Sequence, residues 1–155
     1  MITHLNKKNN PQIIDISKKR ISKRTATAQG VVIFSKKTFK KIEKMQTKKG
    51  EITNVAIIAG INGAKKTSEL IPLCHNIDIE NVDIKITTNK KSLCLVINAS
   101  VKSTSKTGVE MEALTAVSVS CLTIYDMCKS LDKNIIIDKI KLISKKGGKS
   151  DYVNT

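Results

Sequence analysis

Arginine and aromatic residues are scarce in this basic chain. Among its 28 basic residues only Arg20 and Arg24 are arginines, and aromatics make up 3% of the sequence, with no tryptophan. Proteins that read base edges rely on arginine forks, and RNA-binding sheets rely on stacking aromatics. The net charge of +15 therefore points to an anionic ligand beside a general lysine bias, and it argues against a nucleic-acid partner.

Long apolar runs and clustered cysteines are missing as well. No stretch approaches the ~20 apolar residues of a bilayer span, and the N-terminus lacks the apolar segment of a signal peptide. The four cysteines, at 74, 94, 121 and 128, form no CxxC pair, as expected of reduced thiols. We predict a cytoplasmic protein without a membrane partner, with Cys121 and Cys128 as small apolar core residues.

Hydrophobic periodicity predicts an N-terminal arm at residues 1–24 and one α+β domain at residues 25–155. Strands are expected at 25–34, 79–88, 92–103 and 134–144, and a long buried helix at 109–131. Two further helices precede the second strand. Ser35 caps the first, which buries Phe39, Ile42 and Met45 and stops at Gly50; the second, at 51–66, turns Val55, Ile58 and Ala59 to the core.

This order of elements is the split βαβ pattern of ferredoxin-like folds, with helices on one face of an antiparallel sheet. The other face of that sheet would be open in a single copy. We therefore expect an oligomer.

The long helix carries acidic residues near both ends, and each has two interpretations. Asp126 and Lys129 are either a surface ion pair or a partly buried unit for general acid–base catalysis. Glu110 and Glu112 either offset the helix dipole or line a site. Within one helix Glu112 and Asp126 would be roughly 21 Å apart. If both serve one site, either the helix starts after Glu112 or two subunits build that site.

Two other segments resemble known site types only in part. Cys74 and His75 follow a proline, but they lack partners for a zinc site, and adjacent residues rarely form a nucleophile–base pair; contact of a loop histidine with a substrate is the better interpretation. The string GKS at 148–150 lacks the first glycine and the helix of a P-loop. A glycine turn among lysines still suits phosphate.

Several strings together resemble one family, the cyclic pyranopterin monophosphate synthases, also called molybdenum cofactor biosynthesis protein C. The strings are KKTSELIPLCH at 65–75, KTGVEMEALTAVSVSCLTIYDMCK at 106–129 and KKGGKS at 145–150. Shorter matches, IDIS at 14–17, KKG at 48–50 and AGI at 59–61, follow the same order, so the resemblance spans nearly the whole chain. The sequence departs from the family pattern at Asn76, where a proline is usual, and at Lys146, where a serine is usual.

The resemblance implies a ferredoxin-like enzyme that forms a hexamer, a trimer of dimers, with its sites between subunits. It implies conversion of 3',8-cyclo-7,8-dihydro-GTP, made by a partner radical enzyme, to cyclic pyranopterin monophosphate. This is a lyase reaction that releases diphosphate, and it needs no metal and no organic cofactor. Catalytic roles are implied for Asp126, Lys129 and Lys49. Substrate binding is implied for Leu73, Cys74, His75, Met111, Glu112, Glu110, Lys145 and Arg24.

Two rival functions stay open on the sequence alone. A polyanion-binding module would bind in a steeply salt-dependent way without turnover. A family member without activity, kept as a structural subunit, would lack turnover although Asp126, Lys129, Lys49 and His75 are all present.

Overall fold

The structure, a computed structural model, describes residues 4–6, 8–49 and 51–154, with side chains outside 44–51. The described residues form five strands and four helices in the order β-α-α-α-β-β-α-β-β. The strands are β1 (Ser22–Ile33), β2 (Asn81–Asn89), β3 (Cys94–Ser105), β4 (Ile136–Lys146) and β5 (Tyr152–Val153). The helices are α1 (Lys36–Lys49), α2 (Glu51–Lys65), α3 (Thr67–Leu70) and α4 (Glu110–Cys128). The α+β prediction is confirmed, and α3 and β5 are additions that it did not contain.

The strands form one antiparallel sheet in the order β2-β3-β1-β4-β5. The predicted hairpin is present, because β2 and β3 pair along their length from Asn81 opposite Lys102 to Asn89 opposite Cys94. β1 lies between β3 and β4, so its two edges are both hydrogen-bonded. This central position fixes β1 as the strand on which the long helix rests.

Helix α4 lies against the buried face of β1, where side chains are small. Ala26 and Ala28 are buried there, and a Cβ at Gly30 would approach Cys121 Sγ to 3.0 Å. Cys121 and Cys128 are both fully buried among the core residues, as predicted. α4 has the length and mean hydropathy of a membrane span, contrary to our expectation for any segment, but half of that window is buried within the chain.

Helix α2 packs closely on α4 through glycines. A Cβ at Gly60 would lie 2.9 Å from the Ala116 carbonyl oxygen and would overlap the Ser120 hydroxyl, while one at Gly63 would lie 2.7 Å from Val119 Cγ2. Such close approach requires residues without a side chain at the contact. Ser120 in turn donates to the carbonyl oxygen of Ala56 at 2.9 Å.

This packing corrects the predicted orientation of α2. Val55 is 44% exposed and Ile58 61% exposed, so neither faces the core, and Ala59 is only partly buried. Ile52 and Ala56 are the buried apolar side chains at this part of the helix. The prediction followed bulky residues, whereas the helix meets α4 through its small ones.

Helix α1 agrees with its predicted face as far as it is described. The backbone N–H of Thr38 donates to the Ser35 hydroxyl at 3.3 Å, so Ser35 caps the helix as predicted. Phe39 and Ile42 are buried. The Met45 side chain and Gly50, the predicted stop, lie outside the described part of the chain.

Candidate active site

The N-terminal arm folds back onto the body and covers the loop that precedes β2. The Ile14 carbonyl oxygen lies 2.7 Å from His75 Nε2, which must donate this bond because a carbonyl only accepts. Lys106 Nζ donates to the Ser17 carbonyl oxygen at 2.9 Å. The arm is therefore ordered on its own chain.

A cavity of about 180 Å³ lies beneath the arm, at the N-terminal end of α4. Three segments line it: the arm, the loop around His75, and the stretch that leads into α4. It contains six of the residues for which the resemblance implied substrate binding, namely Leu73, Cys74, His75, Glu110, Met111 and Glu112. The structure thus brings together residues that lie almost forty positions apart in the sequence.

Glu112 is the most deeply buried acid in this cavity, with 4% of its surface exposed. Burial raises the pKa of Glu112; a hydrogen bond from its own backbone N–H opposes the shift, and the neighbouring Glu110 carboxylate adds to it. Its Oε2 atom has no hydrogen-bond partner within the described chain. A carboxylate with a raised pKa and an open oxygen is suited to accept a bond or a proton from a ligand.

Cys74 contributes its thiol to the wall of the cavity. Burial raises its pKa, and the nearby Glu112 charge raises it further. Because the thiolate is the nucleophilic form, these surroundings disfavour Cys74 as a nucleophile at neutral pH. No group of three metal-ligating side chains occurs among the residues that the structure describes.

A basic groove of about 540 Å³ adjoins the cavity, and the two share Lys19, Thr107 and Gly108. Its lining holds six basic side chains, from Lys19, Arg20, Arg24, Lys106, Lys145 and Lys149, and no acidic one among the described residues. Arg24 and Lys145, for which the resemblance implied substrate binding, both line this groove. Lys145 Nζ also pairs with Glu110 Oε1 at 3.1 Å, which joins the groove to the cavity wall.

The glycine turn after β4 closes one side of the groove. Gly147 has a φ of +85°, and a Cβ there would overlap the Lys23 carbonyl oxygen, so only glycine fits. The Ser22 hydroxyl donates to the Gly147 carbonyl oxygen at 2.8 Å. The turn is thereby held beside the start of β1, with Gly148 and Lys149 facing the groove.

Asp126 and Lys129 lie at the other end of α4 and take no part in this cavity. Lys129 Nζ lies 2.6 Å from Asp126 Oδ1, with the side chains 57% and 70% exposed. That bond raises the pKa of Lys129. In the single chain the pair is a surface ion pair, so the partly buried alternative is wrong for it.

The continuity of α4 removes one of the two alternatives for Glu112 and Asp126. The helix already begins at Glu110, so both residues belong to it. Fourteen residues then separate them by roughly 21 Å along the axis. Lys49, the third residue with an implied catalytic role, ends α1, and its side chain lies outside the described residues.

The sequence model of the MoaC family matches residues 13–148 of the chain. The chain belongs to this family. It is 50% identical over 153 residues to the cyclic pyranopterin monophosphate synthase of Helicobacter hepaticus, which covers 98% of this chain and 96% of that protein. It is 46% identical over 151 residues to the enzyme of that name from Heliobacterium modesticaldum and 48% identical over 151 residues to that of Peptoclostridium acidaminophilum. Each of these two alignments covers 97% of this chain and 95% of the relative.

Sequence reasoning on this MoaC family member named Arg24, the last residue of the predicted arm, but missed the contribution of earlier arm residues to the cavity. His4, Ile14, Ile16 and Lys19 all line the cavity. One signal was present: Ile14 and Ile16 flank Asp15, the period-two spacing of a segment that lies with one side against the body. No local signal marked His4 or Lys19.

Proposed function

We propose that this chain converts 3',8-cyclo-7,8-dihydro-GTP to cyclic pyranopterin monophosphate and releases diphosphate. The family and its near-full-length relatives give the function as synthesis of cyclic pyranopterin monophosphate in molybdenum cofactor biosynthesis. The substrate and the assignment of residues are the proposal. The observation that carries it is a half-polar cavity that opens directly onto a basic groove.

The cavity suits the purine-derived rings and the groove suits the triphosphate. A cavity with an open carboxylate oxygen accepts hydrogen bonds from ring N–H groups. Six cations and a glycine turn supply charge-assisted bonds to phosphate oxygens. Because cavity and groove share Lys19, Thr107 and Gly108, one nucleoside triphosphate derivative can occupy both.

The reaction needs proton transfers at the rings and a departing anion at the phosphates. Opening the imidazole ring and building the pyrazine ring each move protons, for which the raised pKa of Glu112 is favourable. Closing the cyclic phosphate forms one oxygen–phosphorus bond and breaks the bond to the departing diphosphate. Lys145, Lys149 and Arg24 line the groove and would stabilise the charge on that leaving group. This chemistry is that of a phosphorus–oxygen lyase.

Asp126 and Lys129 reach such a substrate only from a second copy of the chain. Their distance from Glu112 along α4, roughly 21 Å, is too great for one copy to apply both ends of the helix to one substrate. The pair lies beside exposed apolar side chains, Leu122 at 59% and Met127 at 36% exposure, which suit a contact between subunits. We assign the acid–base role to Asp126 with Lys129, and a part in the same shared site to Lys49.

The larger assembly and the cellular setting are also proposals. The hexamer, a trimer of dimers, is the oligomer that the resemblance implies, and a radical enzyme that cyclises GTP would supply the substrate. The cytoplasm is the compartment that free thiols at all four cysteines suit.

The decisive experiment combines the purified protein with the cyclised GTP intermediate and follows diphosphate release and pterin formation. We expect product from the wild type and a loss of at least ~10²-fold in Asp126→Ala, as for loss of a general acid–base group. Asp83→Ala, which changes an exposed acid on β2, is the matched control and should retain activity. A folded oligomer that binds polyanions in a salt-dependent way but yields no product would favour the binding module instead.

A further inference from the structure

The first residues of the described chain form a tight hairpin at residues 4–6 and 8–12. The backbone N–H of Gln12 donates to the His4 carbonyl oxygen at 2.9 Å. The side-chain oxygen of Asn6 accepts two backbone N–H bonds of the turn, at 2.9 and 3.0 Å. The hairpin therefore fixes His4 next to the segment that continues into the cavity wall.

The His4 ring lines the cavity, and its Nδ1 atom is buried without a hydrogen-bond partner. Across the residues that the structure describes, only one other side-chain atom is in this condition, and it is Glu112 Oε2 in the same cavity. Leaving a buried polar atom unpaired is unfavourable, so such atoms are rare unless a ligand or water provides a hydrogen-bond partner. Two of them in one cavity mark the place where a ligand makes polar contacts.

The imidazole of His4 is not needed to hold the arm in place. The hairpin is held by backbone groups and the Asn6 side chain, and the arm is tied to the body through Ile14 with His75 and through Ser17 with Lys106. None of these bonds uses the His4 ring. A structural role therefore leaves its polar atom unexplained.

We propose that His4 is a further substrate-contacting residue, which hydrogen-bonds the purine-derived rings through Nδ1 in the cavity that Glu112 also lines. A ring nitrogen of imidazole donates or accepts according to the tautomer, and a carboxylate accepts. A guanine-derived ring system presents both N–H donors and acceptor atoms, so it can form hydrogen bonds with both His4 Nδ1 and Glu112 Oε2. Phosphate oxygens only accept hydrogen bonds, and the six cations of the adjoining groove can donate those bonds.

The test measures binding of two probes, GTP and inorganic triphosphate, to the full-length protein by calorimetry. Triphosphate fills only the groove, whereas GTP also places a base in the cavity. Three variants separate the polar atom from the ring: His4→Phe removes it, His4→Asn keeps one near the position of Nδ1, and His4→Gln keeps one near Nε2. We expect His4→Phe to weaken GTP binding about tenfold, the scale of one hydrogen bond at a buried site, with triphosphate binding unchanged.

Recovery of GTP affinity in one variant distinguishes a substrate contact of His4 from a purely structural role. His4→Asn should recover most of the GTP affinity and His4→Gln should not, with melting temperatures equal throughout. Equal affinities of wild type and His4→Phe for GTP would overturn the proposal, as would an equal loss for both probes, or a wild type that binds GTP no better than triphosphate. The inference rests on the proposed substrate, but the binding assay does not depend on turnover. If the variants show the expected binding pattern while the turnover assay yields no product, the proposed reaction is refuted and the His4 contact is retained.

Discussion

Two variants that are inactive alone should restore each other's activity if neighbouring copies build each site. The pair is Glu112→Gln and Asp126→Asn, each nearly isosteric with the residue it replaces. Both residues belong to the continuous helix α4, fourteen positions and roughly 21 Å apart. A site that uses both must then take Glu112 from one copy and Asp126 from another.

The expected recovery follows from counting sites. In assemblies formed from equal amounts of the two variants, roughly a quarter of the shared sites combine an intact Glu112 with an intact Asp126. The variants would be co-expressed with different affinity tags, purified through both tags, and assayed for diphosphate release. As the control, each single variant is co-expressed with itself in the two tagged forms and purified in the same way, and it should remain inactive.

A second mixture sharpens the assay. The chain that carries both substitutions, co-assembled with wild type, should give roughly a quarter of full activity if sites are shared and roughly half if each copy builds its own. No recovery from the two single variants, together with half activity in the second mixture, would refute the shared site. It would also require α4 to break between Glu112 and Asp126 in the working enzyme.

Three further outcomes follow from packing, titration and charge. Gly60→Ala should destabilise the chain by about 1–3 kcal/mol, because its Cβ meets Ser120 and Ala116. The melting temperature should fall by about 2–4 °C for each kcal/mol, whereas the exposed control Asn62→Ala should leave the melting temperature unchanged. Because the pKa of Glu112 is raised above its ordinary 4.5, the folded chain holds this proton more tightly than the unfolded chain does. The free energy of unfolding in urea should therefore fall as pH rises from about 4.5 through the raised pKa, and Glu112→Gln should flatten that fall; an identical pH profile would contradict it. Lys149→Ala should raise KM for the triphosphate substrate about three- to tenfold at low salt and less at high salt, with Lys85→Ala on β2 as the neutral control.

The strands of this fold were predictable because they alternate. The position of α2 was predictable as well, but its buried face was not, because its contact surface is made of small residues. The β2–β3 hairpin and the long helix were predicted close to their observed bounds. On α2 the bulky Val55 and Ile58 dominate any periodicity, yet the helix meets α4 through Gly60 and Gly63. Glycine contributes nothing to a hydrophobic pattern, so a contact that depends on its lack of a side chain leaves no periodic signal.

The lining of the cavity was predictable only where its residues form contiguous strings. Loop residues around His75 and helix residues around Glu112 were recognised together, and they line one cavity. The contribution of the arm depends on contacts across long stretches of chain, such as Ile14 with His75, sixty-one positions apart. Sequence near His4 or Lys19 carries no trace of that closure, because it depends on hydrogen bonds from the arm to residues that are distant in sequence.

Helix α4 holds Glu112 in the cavity at one end and leaves the Asp126–Lys129 pair in solvent at the other. An exposed ion pair is screened by water and interacts weakly, so neither group gains the tuning that burial gives to an acid–base catalyst. At the C-terminal end of α4, Leu122 and Met127 are exposed beside the pair. A second copy placed there would exclude water from the pair and bring a cavity with Glu112 to it. Assembly would then create the catalytic surroundings and the complete site in one step, and a rigid helix with Glu112 at one end and Asp126 at the other would give each copy a part in two different sites.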